Sequence, residues 1–195
     1  MNIIADIEIL VGKSRSTEKE LVKLRKSKEQ LAAKGADAKN LAAGSAMDAS
    51  AIDALAASLS QNRRLCEDLA EQILMHEMSR KYLCELLRNR SVEVLGRARD
   101  RFNLFSAAVK GELQNRLAPF LPPLSYRREI PSSDLLPLEA SRALLLAMEA
   151  RVMQLKDDPV AVAEFYCAKY QALLDACTAA ERGLGIRSPN PQVVA

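Results

Sequence analysis

An all-α protein is what this sequence predicts: long helices, an antiparallel coiled-coil-like N-terminal part and a C-terminal helical hairpin. Three observations carry that reading. Alanine and leucine, both strong helix formers, supply 30 and 29 of the 195 residues. Aromatic residues make up only 4% and glycines number 7, whereas a β-sandwich or barrel needs β-branched and aromatic strands with frequent glycine turns. All eight prolines fall at or after Pro119, so nothing in the first 118 residues removes a backbone donor.

The first expected element is a short amphipathic helix over residues 2–11, with Ile3, Ile4, Ile7, Leu10 and Val11 on one side and Gly12 closing it. Ser16 is then placed to open a second helix reaching residue 34. Glu18 and Glu20 suit its positive N-terminal dipole, and Leu21, Leu24 and Leu31 form a stripe narrow enough to need a partner helix. Residues 35–50, rich in Ala, Gly, Ser and Asp, read as a connection.

A long periodic segment follows from Ser50, which with Asp53 makes an approximate capping box. Ile52, Leu55, Leu59, Asn62, Cys66, Leu69, Ile73, His76, Arg80, Leu83, Leu87 and Val94 lie in heptad register. Because Asn62, His76 and Arg80 interrupt the apolar seam, an antiparallel pairing with the 16–34 helix fits better than a regular zipper. Helix continues or restarts at Ser91 and runs to Leu117, with Gly96 and Gly111 as candidate breaks.

Proline content sets the expected domain plan: a long-helix region over 1–118, a Pro-rich linker over 119–137, a hairpin over 138–185 and a polar tail over 186–195. In the hairpin, a helix over 138–156 is followed by the turn Asp157–Asp158–Pro159, which caps and starts a second helix over 160–182. Val162, Phe165, Tyr166, Tyr170, Leu173, Leu174 and Cys177 face inward on that helix, and Gly183 ends it.

Disorder is excluded by 49% hydrophobic residues with a formal net charge of only +3. The first apolar run is broken by Asp6 and Glu8 and does not read as a signal peptide. Uncharged apolar runs stay far below the roughly 20 residues that span a bilayer, so no membrane role is expected.

The inventory for catalysis is poor, and neither a catalytic residue nor a cofactor is expected. His76, the single histidine, has no Cys or second His three or four residues away, the spacing that places metal ligands on one helix face; it reads as a core or interfacial residue. Cys66 and Cys84 are about 27 Å apart along a helix, and Cys167 and Cys177 fall about 80° out of register. Buried thiols in a reducing compartment are the natural reading. No phosphate-binding glycine loop or nucleophile elbow is present.

Basic clustering is the strongest polar signal. Residues 13–28 hold seven Lys/Arg against two Glu, and Arg90, Arg97 and Arg101 share a helix face that could run along phosphates. A solvated face or an acidic protein partner is favoured over nucleic acid, because aromatic interleaving is missing. The aromatic cluster Phe165, Tyr166 and Tyr170 reads as hairpin packing, and the PFLPPL stretch as a spacer rather than a polyproline ligand.

The string LLPLEASRALLLAMEARVMQLKDDPVAVAEFYCAKYQALLDACTAAERG, residues 135–183, resembles the helical hairpin of tailed-phage head-to-tail adaptors and other virion connector components. In such proteins an Ala/Leu helix, an acidic-Pro turn and a second helix carrying Tyr recur. The resemblance implies a non-enzymatic structural protein that forms a ring between larger virion components. The competing expectations are a cytosolic coiled-coil module, such as a secretion chaperone or adaptor, and a helical nucleic-acid-binding protein. A helix over 50–90 is about 60 Å long, more than the shorter helices can cover. Protein partners or a homo-oligomer are therefore expected, contacting Ile73, His76, Arg80, Leu83 and Leu87, with Ile73→Asp and Leu83→Asp expected to abolish assembly before unfolding the chain.

Overall fold

The computed structural model describes residues 2–44, 48–117 and 132–186. Four α-helices and one 3-10 helix account for nearly all of them: α1 (Ile3–Gly44), α2 (Ala49–Leu117), α3 (Ser132–Glu149), the 3-10 helix (Val152–Lys156) and α4 (Pro159–Leu184). The protein is all-α, with no strand among the described residues.

The first two helices are longer than their local sequence suggests. Helix α1 passes through Gly12 and continues through 35–44, where a break and a connection were expected. A mid-helix glycine costs about 1 kcal/mol, a small penalty beside the burial of Ile3, Ile7 and Val11 before it and of Leu21 after it. Helix α2 begins directly after Asp48, whose Oδ1 accepts the Ala51 N–H at 2.7 Å. Asp48, not Ser50, therefore caps this helix. The helix then runs unbroken through Gly96 and Gly111.

The chain forms two compact units, one of Met1–Val11 with Leu86–Ala195 and one of Gly12–Glu85. This division differs from the one the prolines suggest, because the second half of α2 shares a core with α3 and α4 instead of standing apart from them.

In the first unit the opening turns of α1, the second half of α2, α3 and α4 enclose one apolar core. Ile7, Leu87, Val94, Phe105, Met148 and Tyr166 are among its fully buried side chains. Helices α3 and α4 form the hairpin. The helix of α3 starts at Ser132 and carries on past Pro137, so the last residues of the expected linker are helical. The segment 118–131, with PFLPPL, lies outside the described residues, as does the tail from 187.

The expected single helix over 138–156 is interrupted after Glu149. Tyr166 Oη donates to the Met148 carbonyl at 2.7 Å, and the same carbonyl accepts the Arg151 N–H at 3.1 Å. Arg151 itself sits at φ −96°, ψ 2°, which leaves the α pattern and tightens the chain into the 3-10 turn. Arg88 from α2 closes that turn, donating from Nε to the Leu155 carbonyl at 3.0 Å and from Nη2 to the Lys156 carbonyl at 2.8 Å. Asp158 caps α4 by accepting the Ala161 N–H at 3.0 Å, with Pro159 in the first turn. Gly185, two residues beyond the expected Gly183, ends it at φ 69°, and its N–H and that of Ile186 satisfy the Arg182 and Glu181 carbonyls.

In the second unit the rest of α1 pairs antiparallel with the first part of α2. Arg80 Nε lies 2.6 Å from Glu18, and Arg25 Nη2 donates to Glu77 at 2.6 Å. Partners therefore ascend on one helix as they descend on the other. Leu21 is fully buried in this hairpin, and Ser14 and Leu83 are buried beside it. Leu55, Leu59, Asn62, Cys66, Leu69, Ile73 and His76 are half-buried, along the register read from the sequence.

Candidate interaction surface

The five residues expected to meet a partner divide between burial and pairing. Leu83 and Leu87 are 8% and 0% exposed. They hold the chain together and present nothing to another protein, so Leu83→Asp is a folding lesion and not a selective assembly lesion. Ile73 and His76 are half-buried in the seam. Arg80 is exposed but engaged with Glu18. Nearby, Glu20 accepts a 2.8 Å hydrogen bond from Lys23. That bond and the Lys23 charge hold its carboxyl below the usual range, with a smaller contribution from His76.

The three arginines proposed as a phosphate track are also committed within the chain. Arg90 and Arg97 converge on Glu93 at 2.7 and 3.0 Å. The Arg90 bond keeps the Glu93 carboxyl below its ordinary value, against the opposing effect of burial, and Arg97 adds to the lowering. Arg101 grips Glu181 with both terminal nitrogens at 2.7 Å, and the bond raises the arginine above its usual range. Arg99 pairs with Glu149 at 2.8 Å, while Arg116 donates to the Leu184 carbonyl at the end of α4. Arg99, Arg101 and Arg116 thus bind α2 to α3 and α4.

The four cysteines are free. Burial pushes the Cys167 thiol up to about 11, with Glu8 and Glu164 acting in the same direction. Burial also raises Cys177, offset in part by its 3.8 Å contact with Ser141 Oγ. Among the described residues no group of three or more His, Cys, Asp or Glu could hold a metal ion, and no helix is long and apolar enough to cross a membrane. Phe165 lies under the Arg151 guanidinium at 4.0 Å from its centroid, and Tyr166 is fully buried, so the aromatic cluster packs the hairpin.

What the heptad reading passed over is the opposite side of α2. Leu74, Met75, Met78 and Tyr82 are 58%, 70%, 63% and 65% exposed. Met75, Met78 and Tyr82 follow steps of three and four, which puts them on one face, turned away from the seam that meets α1. Their signal in the sequence is large apolar residues at positions a two-helix pairing leaves to solvent. On α1 the outward face is basic, with Arg15, Lys19, Lys23 and Lys26 exposed at steps of four, four and three. An open depression there is lined by Arg15, Glu18, Lys19, Val22 and Lys23.

Comparison with protein families, with curated proteins and with solved structures matches nothing.

Proposed function

We propose that this protein is a non-enzymatic assembly component that works by docking its α1–α2 hairpin onto other proteins. The observation that carries the reading is the solvent-facing stripe of Leu74, Met75, Met78 and Tyr82. Four large apolar side chains, contiguous on one helix face, mark a surface that a partner covers. Methionine suits such a surface because its flexible, polarisable side chain adapts to the partner.

In its most concrete form the protein is a tailed-phage head-to-tail connector or adaptor component, found in the virion after synthesis in the host cytoplasm. The α3–α4 hairpin supports this through its sequence resemblance, with the acidic-Pro turn at Asp158–Pro159 and Tyr166 on the second helix. Nucleic acid is not the preferred partner, since Arg90, Arg97 and Arg101 all meet carboxylates of the same chain.

A photo-crosslinking amino acid placed at Met78, with exposed Ala172 of α4 as control, tests the reading in the native setting. Crosslinks to structural proteins of a virion from Met78, and not from Ala172, are expected. No protein adduct above the Ala172 level overturns it.

A further inference from the structure

Methionine stands at 75, 78, 148 and 153 among the described residues, in sharply different surroundings. Met75 and Met78 lie exposed on the outward face of α2, Met153 is exposed in the 3-10 helix, and Met148 is fully enclosed in the core. A thioether reacts with an oxidant that reaches its sulfur, so exposure sorts the four. Met75 and Met78, unlike Met153, also belong to the apolar stripe with Leu74 and Tyr82, three residues apart on one helix face.

We infer that Met75 and Met78 form a reversible oxidation site that switches this face from docking to non-docking. The inference rests on the docking reading and adds the chemistry that controls it. The co-substrate is a hydroperoxide. Each methionine sulfur attacks the outer peroxide oxygen, and the O–O bond breaks as the S–O bond forms. Sulfur gives up two electrons, and the displaced oxygen takes a proton and leaves as water or an alcohol. The sulfoxide is polar where the thioether was apolar. Covered by an apolar partner surface, it loses its hydrogen bonds to water without replacement. The free chain is the form that reacts, because a docked partner shields both sulfurs.

Hydrogen peroxide and the full-length chain, with a photo-crosslinking amino acid at Tyr82, test the inference. The chain is treated, the peroxide is destroyed with catalase, and peptides are mapped by mass before the chain is returned to its native source. Oxygen should be added at Met75, Met78 and Met153 and not at Met148. Crosslinking from Tyr82 to structural proteins should fall about tenfold or more, the effect of one or more polar groups buried without a partner. It should recover after treatment with the two epimer-specific methionine sulfoxide reductases. A chain with Met75→Leu and Met78→Leu, which keeps Met153 and all four cysteines, should crosslink equally before and after peroxide. Undiminished crosslinking from a chain oxidised at both methionines overturns the inference and leaves the docking reading in place, as does a loss that the leucine variant shares. Met75 and Met78 left unoxidised would overturn it as well. An untreated chain that gives no crosslink overturns the docking reading and this inference together.

Discussion

Arg101 of α2 and Glu181 of α4 form a two-point ion pair, both bonds 2.7 Å, with the glutamate side chain 1% exposed and the arginine 17%. A carboxylate taken that far out of water is tolerated because the planar guanidinium matches both of its oxygens. The pair fixes where α4 lies along α2. Removing one partner should therefore cost far more than removing both.

Arg101→Met takes from the buried Glu181 carboxylate its two-point partner, and a loss of about 3 to 5 kcal/mol is expected in denaturant unfolding. Glu181→Leu combined with Arg101→Met should recover most of that loss, since apolar groups of similar volume replace a desolvated pair. A single variant as stable as wild type would show that the pair carries no such burden.

The cysteines should separate by environment. Cys66 and Cys84 are half-buried, and Cys167 and Cys177 buried, so a thiol reagent at neutral pH should modify the first two in the folded protein and the others only on unfolding. The raised Cys167 thiol also gives a pH dependence. Its folded value of about 11 lies above an unfolded value of roughly 8.5, so its protonated form is favoured by folding. That stabilisation is complete below roughly pH 8.5 and is lost as the pH rises toward 11, at up to about 1.4 kcal/mol per pH unit. Wild type should lose more stability than Cys167→Ala over that window; parallel pH profiles would contradict the assignment.

Nucleic-acid binding should be absent or weak and insensitive to Arg90 and Arg97. A phosphate must displace Glu93 from both, and Arg101 lies mostly inside the protein. Gel retardation that is tight, falls with salt, and loses about one unit of salt slope per neutralised arginine would promote the phosphate track instead.

The all-α class and the seam were legible because the steps of three and four from Leu55 to His76 record which side of α2 loses water, and periodicity survives polar interruptions such as Asn62. Helix continuity was not. Gly12 is carried by the side chains buried before and after it, Ile7, Val11 and Leu21, whereas over 35–44 none of the described side chains is buried and the alanines hold the helix by propensity, masked in the sequence by the glycines and Asp beside them. The break after Glu149 was hidden for a different reason: it depends on the Tyr166 hydroxyl and on Arg88, groups 17 residues away along the chain or more. In the candidate site, charge gave the basic faces, and Glu93 stands within one helical turn of both Arg90 and Arg97, while Glu149 and Glu181, the partners of Arg99 and Arg101, emerge only from tertiary packing. Met75, Met78 and Tyr82 lie off the heptad positions, whereas Leu83 and Leu87 lie on them and are consumed by the chain's own packing.

Sedimentation of the protein from its native source, with wild type beside Met75→Asp plus Met78→Asp, addresses docking through the outward face of α2 most directly. The wild type should travel with a larger protein particle, and the double variant should stay helical but sediment as a free chain of 21.4 kDa. A wild type that sediments as that free chain, with the variant indistinguishable from it, would contradict the account.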